Sequence, residues 1–206
     1  MARASASDRL GEHTPDPPCW RCGAQPAAES LACAACGAPA PPRPGLNAFE
    51  RLGLPVAFAQ PAGAIRDARR ARLLAIHPDR YVKSEETARA YSLAHAVAIN
   101  DAARAIEQPY ERVSYLMSLR AADAPRSMDP DDWQAVHELK LTLRELDHTD
   151  AHVERSRIAR GVAEQYERGL VEVGAALDAG DVPPGDLMPK VTLLRALRSV
   201  LEAVQA

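Results

Sequence analysis

Apolar side chains recur three or four residues apart along most of the chain after its first 45 residues, which is the spacing of amphipathic helices. In the first half, this pattern predicts a short helix that stops at Gly53 and a second helix that starts near Pro61. A third helix should begin at Ser84, and a fourth should cover residues 110–119 after the break at Pro109. The first half of this region is therefore predicted to be four helices joined by short turns.

Three further apolar stripes follow a connector at residues 120–130. The first begins after Asp129-Pro130, a capping residue followed by a first-turn proline. The second ends at Gly180, and the third starts after Asp186. Because each stripe covers only one face, the three helices need one another, and they predict a three-helix bundle over 131–206. Aromatic residues make up only 4% of the chain, and alanine and leucine dominate the apolar set, so the fold class is predicted to be all-α.

Charge and hydropathy limit the remaining classes of function. The formal net charge is −3, which argues against general nucleic-acid binding. No apolar run is long enough to cross a bilayer, and the first residues show no apolar core of a secretory signal. Residues 1–18 are small, polar and proline-bearing, and they are predicted to be disordered. The alanine- and arginine-rich composition favours a bacterial cytoplasm, with the mitochondrial matrix as the alternative.

All four cysteines of the chain lie in two C-x-x-C-G pairs separated by residues 23–32: Cys19, Cys22, Cys33 and Cys36. Each pair places two sulfurs on one side of a turn, and the glycine can adopt the left-handed backbone of a metal knuckle. Four thiolates are the ligand set of a closed structural zinc site, and so short a segment needs the metal to fold. Disulfides or idle thiols are the alternative, and the former are disfavoured without a secretory signal. The zinc module is predicted over 19–37, followed by a proline-rich linker at 38–45.

The tripeptide His77-Pro78-Asp79 stands at the break between the second and third helices. Proline disfavours helix at the residue before it, so the second helix should end about at Ile76 or His77. The tripeptide should then lie on an exposed turn, with basic side chains around it: Arg66, Arg69, Arg70 and Arg80. An ordinary interhelical turn with a solvated arginine face is the alternative interpretation.

A His-Pro-Asp turn after a basic helix resembles the signature of J-domains. Further residues make the chain resemble, more narrowly, the HscB co-chaperones of iron–sulfur cluster assembly: Phe49, Leu52-Gly53-Leu54, Arg80, Tyr81, Asn100, Pro109, Arg112 and Tyr115. The four-cysteine head is similar to that of some members of this family. The resemblance runs from Leu46 onward, strongly to Leu119 and weakly afterwards, and implies a J-domain over 46–119 before the three-helix domain.

The resemblance implies a function in which this chain catalyses no reaction. His77, Pro78, Asp79 and the four arginines would dock on a chaperone of the DnaK/HscA type and stimulate its ATPase, and the terminal bundle would deliver an iron–sulfur scaffold protein. The counterparts of the family's scaffold-binding residues lie on the first helix of the bundle: Val136, Leu139, Leu143, Leu146, Glu138 and Glu145. Core packing is the alternative role of each apolar member of this set.

Other classes of function find less support in the same residues. His77 and Asp79 could form an acid–base pair, but the sequence offers no nucleophile with a base and no glycine-rich phosphate loop. A zinc-ribbon adaptor for nucleic acid is disfavoured, because the cysteine-bearing segment carries little positive charge to neutralise phosphates. A J-protein with a different client stays open, as does a homodimer. His95 is interpreted as a residue of a helix surface.

Overall fold

The computed structural model describes residues 17–25, 30–120, 129–147 and 152–205. The predicted disordered tail at 1–18 and the connector at 120–130 therefore lie mostly outside the described residues. Within these ranges there are seven α-helices, one short 3₁₀ helix at Pro78–Tyr81 and no β-strand beyond an isolated bridge between Ala32 and Pro39. The helices are α1 Ala48–Leu52, α2 Ala64–Ile76, α3 Glu86–Ile106, α4 Pro109–Arg120, α5 Pro130–Asp147, α6 His152–Ala179 and α7 Pro184–Gln205. The prediction of an all-α fold is confirmed.

The helix ends follow local chemistry. Asn47 and Glu50 form a reciprocal capping box at the start of α1, and Gly53 closes this helix at φ +70°. Helix α2 ends at Ile76, as the following proline predicts. It begins at Ala64 and not near Pro61, because Gly63 has φ +81°, a conformation that an α-helix cannot include.

Two other helices begin two or three residues from their predicted starts. Helix α3 begins at Glu86 and not at Ser84, and the carbonyl oxygen of Glu85 accepts the first helical bond from Arg89. Helix α7 begins at Pro184 and not after Asp186, because the fixed φ of proline suits the first helical position.

The chain forms two compact units. One contains the described residues up to Gly45 together with Arg70–Ile99, and the other contains Leu46–Arg69 with the described residues from Asn100 onward. Because the boundaries fall inside α2 and α3, each of these helices contributes to both units. The cysteine-bearing segment and the His-Pro-Asp turn therefore belong to the same unit.

The second unit contains the predicted three-helix bundle. Helices α5, α6 and α7 pack around one cluster of buried apolar side chains: Val136, Leu143, Val162, Leu197 and Val200. Helix α4 packs on the α6–α7 pair, where the guanidinium of Arg198 bonds to a carboxylate oxygen of Glu111 at 2.5 Å and lies 5.1 Å from the ring centroid of Tyr110. No helix within the described ranges is long and apolar enough to span a membrane.

Candidate docking turn and metal site

The His-Pro-Asp turn is short and ordered by its own side chains. His77 precedes a 3₁₀ helix whose first residue is Pro78, and the Nδ1 atom of His77 accepts a hydrogen bond from the backbone N–H of Asp79 at 3.3 Å. The same nitrogen lies 3.5 Å from Oδ2 of Asp79. The side chains of His77 and Asp79 nevertheless remain 49% and 84% exposed. The turn thus presents a ring and a carboxylate side by side to solvent.

Two contacts fix the end of α2, where the turn begins. Arg80 Nη1 donates to the carbonyl oxygens of Leu74 and Ala75, at 3.1 and 3.3 Å, which satisfies groups that a helix leaves unpaired at its C-terminus. Ser92 Oγ donates to the carbonyl oxygen of Ile76 at 2.8 Å, in a buried position. The guanidinium of Arg80, assigned to chaperone binding from the sequence, therefore also caps α2.

The other predicted basic residues lie along α2. Arg66, Arg69 and Arg70 are all exposed, and Arg66 and Arg70 are one helical turn apart. Arg69 Nε donates to Oδ1 of Asn100 at 2.8 Å, which orients its guanidinium. Helix α2 thus presents positive charge to solvent.

The four cysteine sulfurs converge in the structure. All lie within 4.8 Å of one another, and the pairs Cys19–Cys36 and Cys22–Cys33 are each 3.7 Å apart. Sulfurs held about 2.3 Å from a central ion in a tetrahedron would be about 3.8 Å apart, whereas a disulfide requires about 2.05 Å. The donor set and its spacing therefore fit one metal ion and exclude the alternative of two disulfides in this conformation.

The two knuckles have the same backbone geometry. The glycines after the second cysteine of each pair have φ of +74° and +70°, and their N–H groups donate to Cys19 and Cys33 carbonyl oxygens at 2.8 Å. The backbone N–H groups of Arg21 and Cys22 lower the pKa of Cys19 to about 7. For Cys36, a backbone N–H of Ala38 lowers the pKa, but burial and the neighbouring thiols outweigh it and raise it to about 12. A cation held among the sulfurs would favour the thiolate form of Cys36, because an opposite charge stabilises an ionised group.

Contacts that the sequence pattern did not predict attach this module to α3. The indole of Trp20 meets the ring of Tyr91 edge-on, 6.1 Å between centroids, and its N–H donates to the Pro39 carbonyl oxygen at 2.8 Å. His95 is only 7% exposed, and its Nε2 lies 2.9 Å from the carbonyl oxygen of Ala40. The interpretation of His95 as a surface residue was wrong, since the proline-rich stretch packs over it.

The predicted scaffold-binding residues on α5 fall into two groups. Val136 and Leu143 are buried in the bundle core, and Leu139 packs against that core. Leu146 is half-buried, whereas Glu138 and Glu145 are exposed. The structure thus places Val136 and Leu143 in the core, which was the alternative role of the apolar residues in this set.

A different stripe of α5 faces solvent. Trp133 and Leu141 are 59% and 45% exposed, and His137 lies between them at four-residue spacing. The rings of Trp133 and His137 stack at 5.3 Å with 6° between their planes. Their exposure could not be read from the apolar periodicity, which indicates which side is apolar but not what covers it.

Known proteins resemble the chain over most of its length. A co-chaperone protein HscB homolog of Cupriavidus taiwanensis is 30% identical over 143 residues, which cover 65% of this chain and 78% of that protein. The iron–sulfur cluster co-chaperone protein HscB of Mus musculus is 23% identical over 169 residues, 80% of this chain and 72% of that protein. The crystal structure of human co-chaperone protein HscB superposes with a TM-score of 0.78 at 20% identity, covering 92% of this chain and 97% of that one. No family model matches the chain.

Proposed function

The chain belongs to the HscB family of co-chaperones, and on that premise we propose that it stimulates the ATPase of a DnaK/HscA-type chaperone and brings an iron–sulfur scaffold protein to it. The ATP site and its catalytic groups would then belong to the partner chaperone. A bacterial cytoplasm is the proposed compartment. The observation that carries this proposal is the exposed His-Pro-Asp turn, in which the His77 ring accepts the backbone N–H of Asp79 at 3.3 Å and both side chains face solvent.

The positive charge of α2 suits an acidic surface on the partner. The Asp79 carboxylate suits a cationic or amide-bearing cleft within that surface. Arg66, Arg69 and Arg70 on α2 would accelerate encounter with an acidic partner, because exposed charges act over about a Debye length. The Asp79 carboxylate, exposed at the tip, would then accept hydrogen bonds from the chaperone. The direct test is the chaperone's single-turnover ATPase rate, which should rise with the concentration of this chain and saturate. A rate that stays at its basal value would contradict the proposal.

The exposed stripe of α5 is the proposed contact for the scaffold protein. Buried Val136 and Leu143 cannot touch a partner without opening the core, whereas Trp133 and Leu141 can. Glu138 and Glu145 are exposed on the same helix, so a scaffold surface with apolar and basic residues would fit. Glu138 is already oriented by a hydrogen bond from Gln134 at 2.9 Å.

Replacing Trp133 and Leu141 together by alanine should weaken scaffold binding at least about tenfold, because large exposed anchors dominate interface energies. Both side chains are exposed, so the stability of the fold should change little. Calorimetric titration of the full chain with an iron–sulfur scaffold protein would measure the affinity. Val171→Ala on α6 is the matched control, because Val171 is 63% exposed on another helix. Unchanged affinity in the double variant would place the client contact elsewhere.

Zinc is the metal proposed for the four-cysteine site. Four thiolates suit zinc in a closed tetrahedral shell, which leaves no position for a substrate, so a bound ion would act as a structural centre. Cys19, Cys22, Cys33 and Cys36 would hold it, and the backbone N–H groups of Arg21 and Cys22 would stabilise the thiolate of Cys19.

Metal analysis of the purified chain should find about one zinc per chain, the count that four thiolates satisfy. Since all four cysteines belong to this site, thiol titration provides an independent measurement. A thiol reagent should react slowly with the metal-loaded chain and with all four thiols after a strong chelator is added. Stoichiometry near zero after gentle purification, with four fast-reacting thiols, would contradict the metal site. Iron in place of zinc would contradict only the choice of metal.

A further inference from the structure

The metal knuckles touch the segment that carries the docking turn. Tyr81 is the last residue of the 3₁₀ helix, two positions after Asp79, and its side chain is buried at 8% exposure. Its hydroxyl donates to the carbonyl oxygen of Gly37 at 3.1 Å. Gly37 directly follows the metal-ligand candidate Cys36. One hydrogen bond therefore joins the second knuckle to the far end of the turn.

The position of the Gly37 carbonyl depends on the knuckle. The N–H of Gly37 closes the knuckle on the Cys33 carbonyl oxygen at 2.8 Å, and the residue has φ +70°. A four-thiolate ion would hold Cys33 and Cys36 on its shell and so keep this acceptor in place. Without an ion, Cys33 and Cys36 would lose their shared anchor, and the backbone at Gly37 would be held less firmly.

The first knuckle makes its own contacts with α3. Trp20, between Cys19 and Cys22, meets Tyr91 at 6.1 Å between centroids, and Arg21 Nε lies 3.3 Å from Oε1 of Glu85. Both cysteine pairs thus place a neighbouring residue against the segment that begins at the turn. These contacts attach the four-cysteine module to the segment that carries the turn.

We propose that the four-cysteine module positions the His-Pro-Asp turn through the Tyr81–Gly37 hydrogen bond, so that metal loading determines how firmly the turn is held. Tyr81 is a positioning residue, since it would act on His77 and Asp79 through the 3₁₀ helix. At the other end, Ser92 already holds Ile76, so the turn is anchored on both sides only when the knuckle is formed. The consequence for chaperone stimulation rests on the proposed function, whereas the coupling itself is a property of the free chain.

The coupling can be measured without a chaperone, by hydrogen exchange on the full chain. Tyr81→Phe keeps the ring and removes only the hydroxyl. With metal bound, we expect the backbone amides of residues 79–84 to exchange about five- to tenfold faster in this variant, the factor that one net hydrogen bond contributes to a local opening. Removing the metal from the wild-type chain with a strong chelator should accelerate the same amides at least as much. Chelation should accelerate the exchange of these amides less in Tyr81→Phe than in the wild type.

Tyr91→Phe is the matched control, because it retains the ring that meets Trp20 and leaves Tyr81 in place. Its turn amides should show the wild-type response to metal. If chelation also removes the protection of residues 88–99 against hydrogen exchange, the whole unit opens without metal. The metal-loaded Tyr81→Phe variant then decides whether the Tyr81–Gly37 hydrogen bond holds the turn. Unchanged exchange at 79–84 in that variant would overturn the proposal.

Chaperone ATPase measurements keep the two proposals separate. If the metal-loaded wild-type chain fails to stimulate a DnaK/HscA-type chaperone, the proposed function fails while the exchange experiment still decides the coupling. If it stimulates, Tyr81→Phe should need a higher concentration to reach the same rate and should approach wild-type behaviour as its concentration rises. A fall in the maximal rate with unchanged half-saturation would contradict a positioning role.

Discussion

Replacing Asp79 by asparagine is expected to reduce the stimulation of the chaperone's ATPase by at least about 30-fold at subsaturating concentration, since truncating one partner of a desolvated charge pair costs roughly 2 kcal/mol or more. Asparagine keeps the shape of the side chain and removes its charge. Because the Asp79 side chain is 84% exposed, the free chain should keep its stability. Single-turnover ATP hydrolysis by the chaperone, followed over a concentration series of the variant, measures the effect.

The neighbouring histidine separates charge from turn geometry. His77→Gln removes the Nδ1 acceptor that holds the Asp79 N–H, so stimulation should also fall while the carboxylate remains. Asp101→Asn is the matched control, because Asp101 is an exposed carboxylate on α3 that pairs with Arg104 at 3.0 Å. It should stimulate like the wild type. Full activity in Asp79→Asn would contradict docking through the turn, whatever the control shows.

The charge on α2 contributes in a way that salt can reveal. Arg66, Arg69 and Arg70 are exposed, so their attraction for an acidic surface is screened over about 10 Å at 0.1 M salt. Raising the salt should therefore increase the concentration needed for half-maximal stimulation, equally in the wild type and in Asp101→Asn. The maximal stimulated rate should change much less, because it depends on the bound complex.

The sequence was sufficient for features that are encoded within a few residues. The Pro78 break predicted the end of α2 at Ile76, and the repeated C-x-x-C-G spacing predicted converging sulfurs. The capping signal at Asp129 predicted the start of α5, and its carboxylate does accept the N–H of Asp131 at 2.9 Å. Such features depend on local backbone chemistry, which is the same wherever the segment packs.

Features that depend on distant partners could not be predicted in this way. His95 has the spacing of a surface residue on α3, but Ala40, 55 residues earlier, covers it. Tyr81 was part of the family resemblance, yet its link to Gly37 joins residues 44 positions apart. On α5, the family resemblance pointed to Val136 and Leu143 as client contacts, and only the packing of the three helices shows that both lie in the bundle core. Trp133 and Leu141 stay exposed because no described element packs over their side of the helix.

Gly174 on α6 provides a second large expected effect, this time on stability. A Cβ atom at this buried glycine would lie 2.0 Å from Cδ1 of Phe58. The ring cannot easily withdraw, because the Phe58 N–H donates to Asp178 Oδ1 at 2.6 Å and its carbonyl oxygen accepts from Arg112 Nη1 at 2.9 Å. Arg112 also lies 5.7 Å from the centroid of the ring. Gly174→Ala should therefore lower the free energy of unfolding by about 2 kcal/mol or more, the cost of overpacking a constrained site.

Gly161 on the same helix makes the comparison quantitative. Apart from its own helical turn, no heavy atom of the described residues lies within 4 Å of a Cβ built at Gly161, so Gly161→Ala should raise the free energy of unfolding by about 0.5–1 kcal/mol through helix propensity alone. Gly174→Ala gains the same propensity, so the difference between the two variants isolates the contact with Phe58. Urea denaturation of the metal-loaded full chain measures this difference in the free energy of unfolding. The same measurement is made on the double variant that combines Gly174→Ala with Phe58→Ala. Phe58→Ala should restore part of the loss by removing the clash. Equal stabilisation by both alanines would mean that Phe58 does not pack against α6.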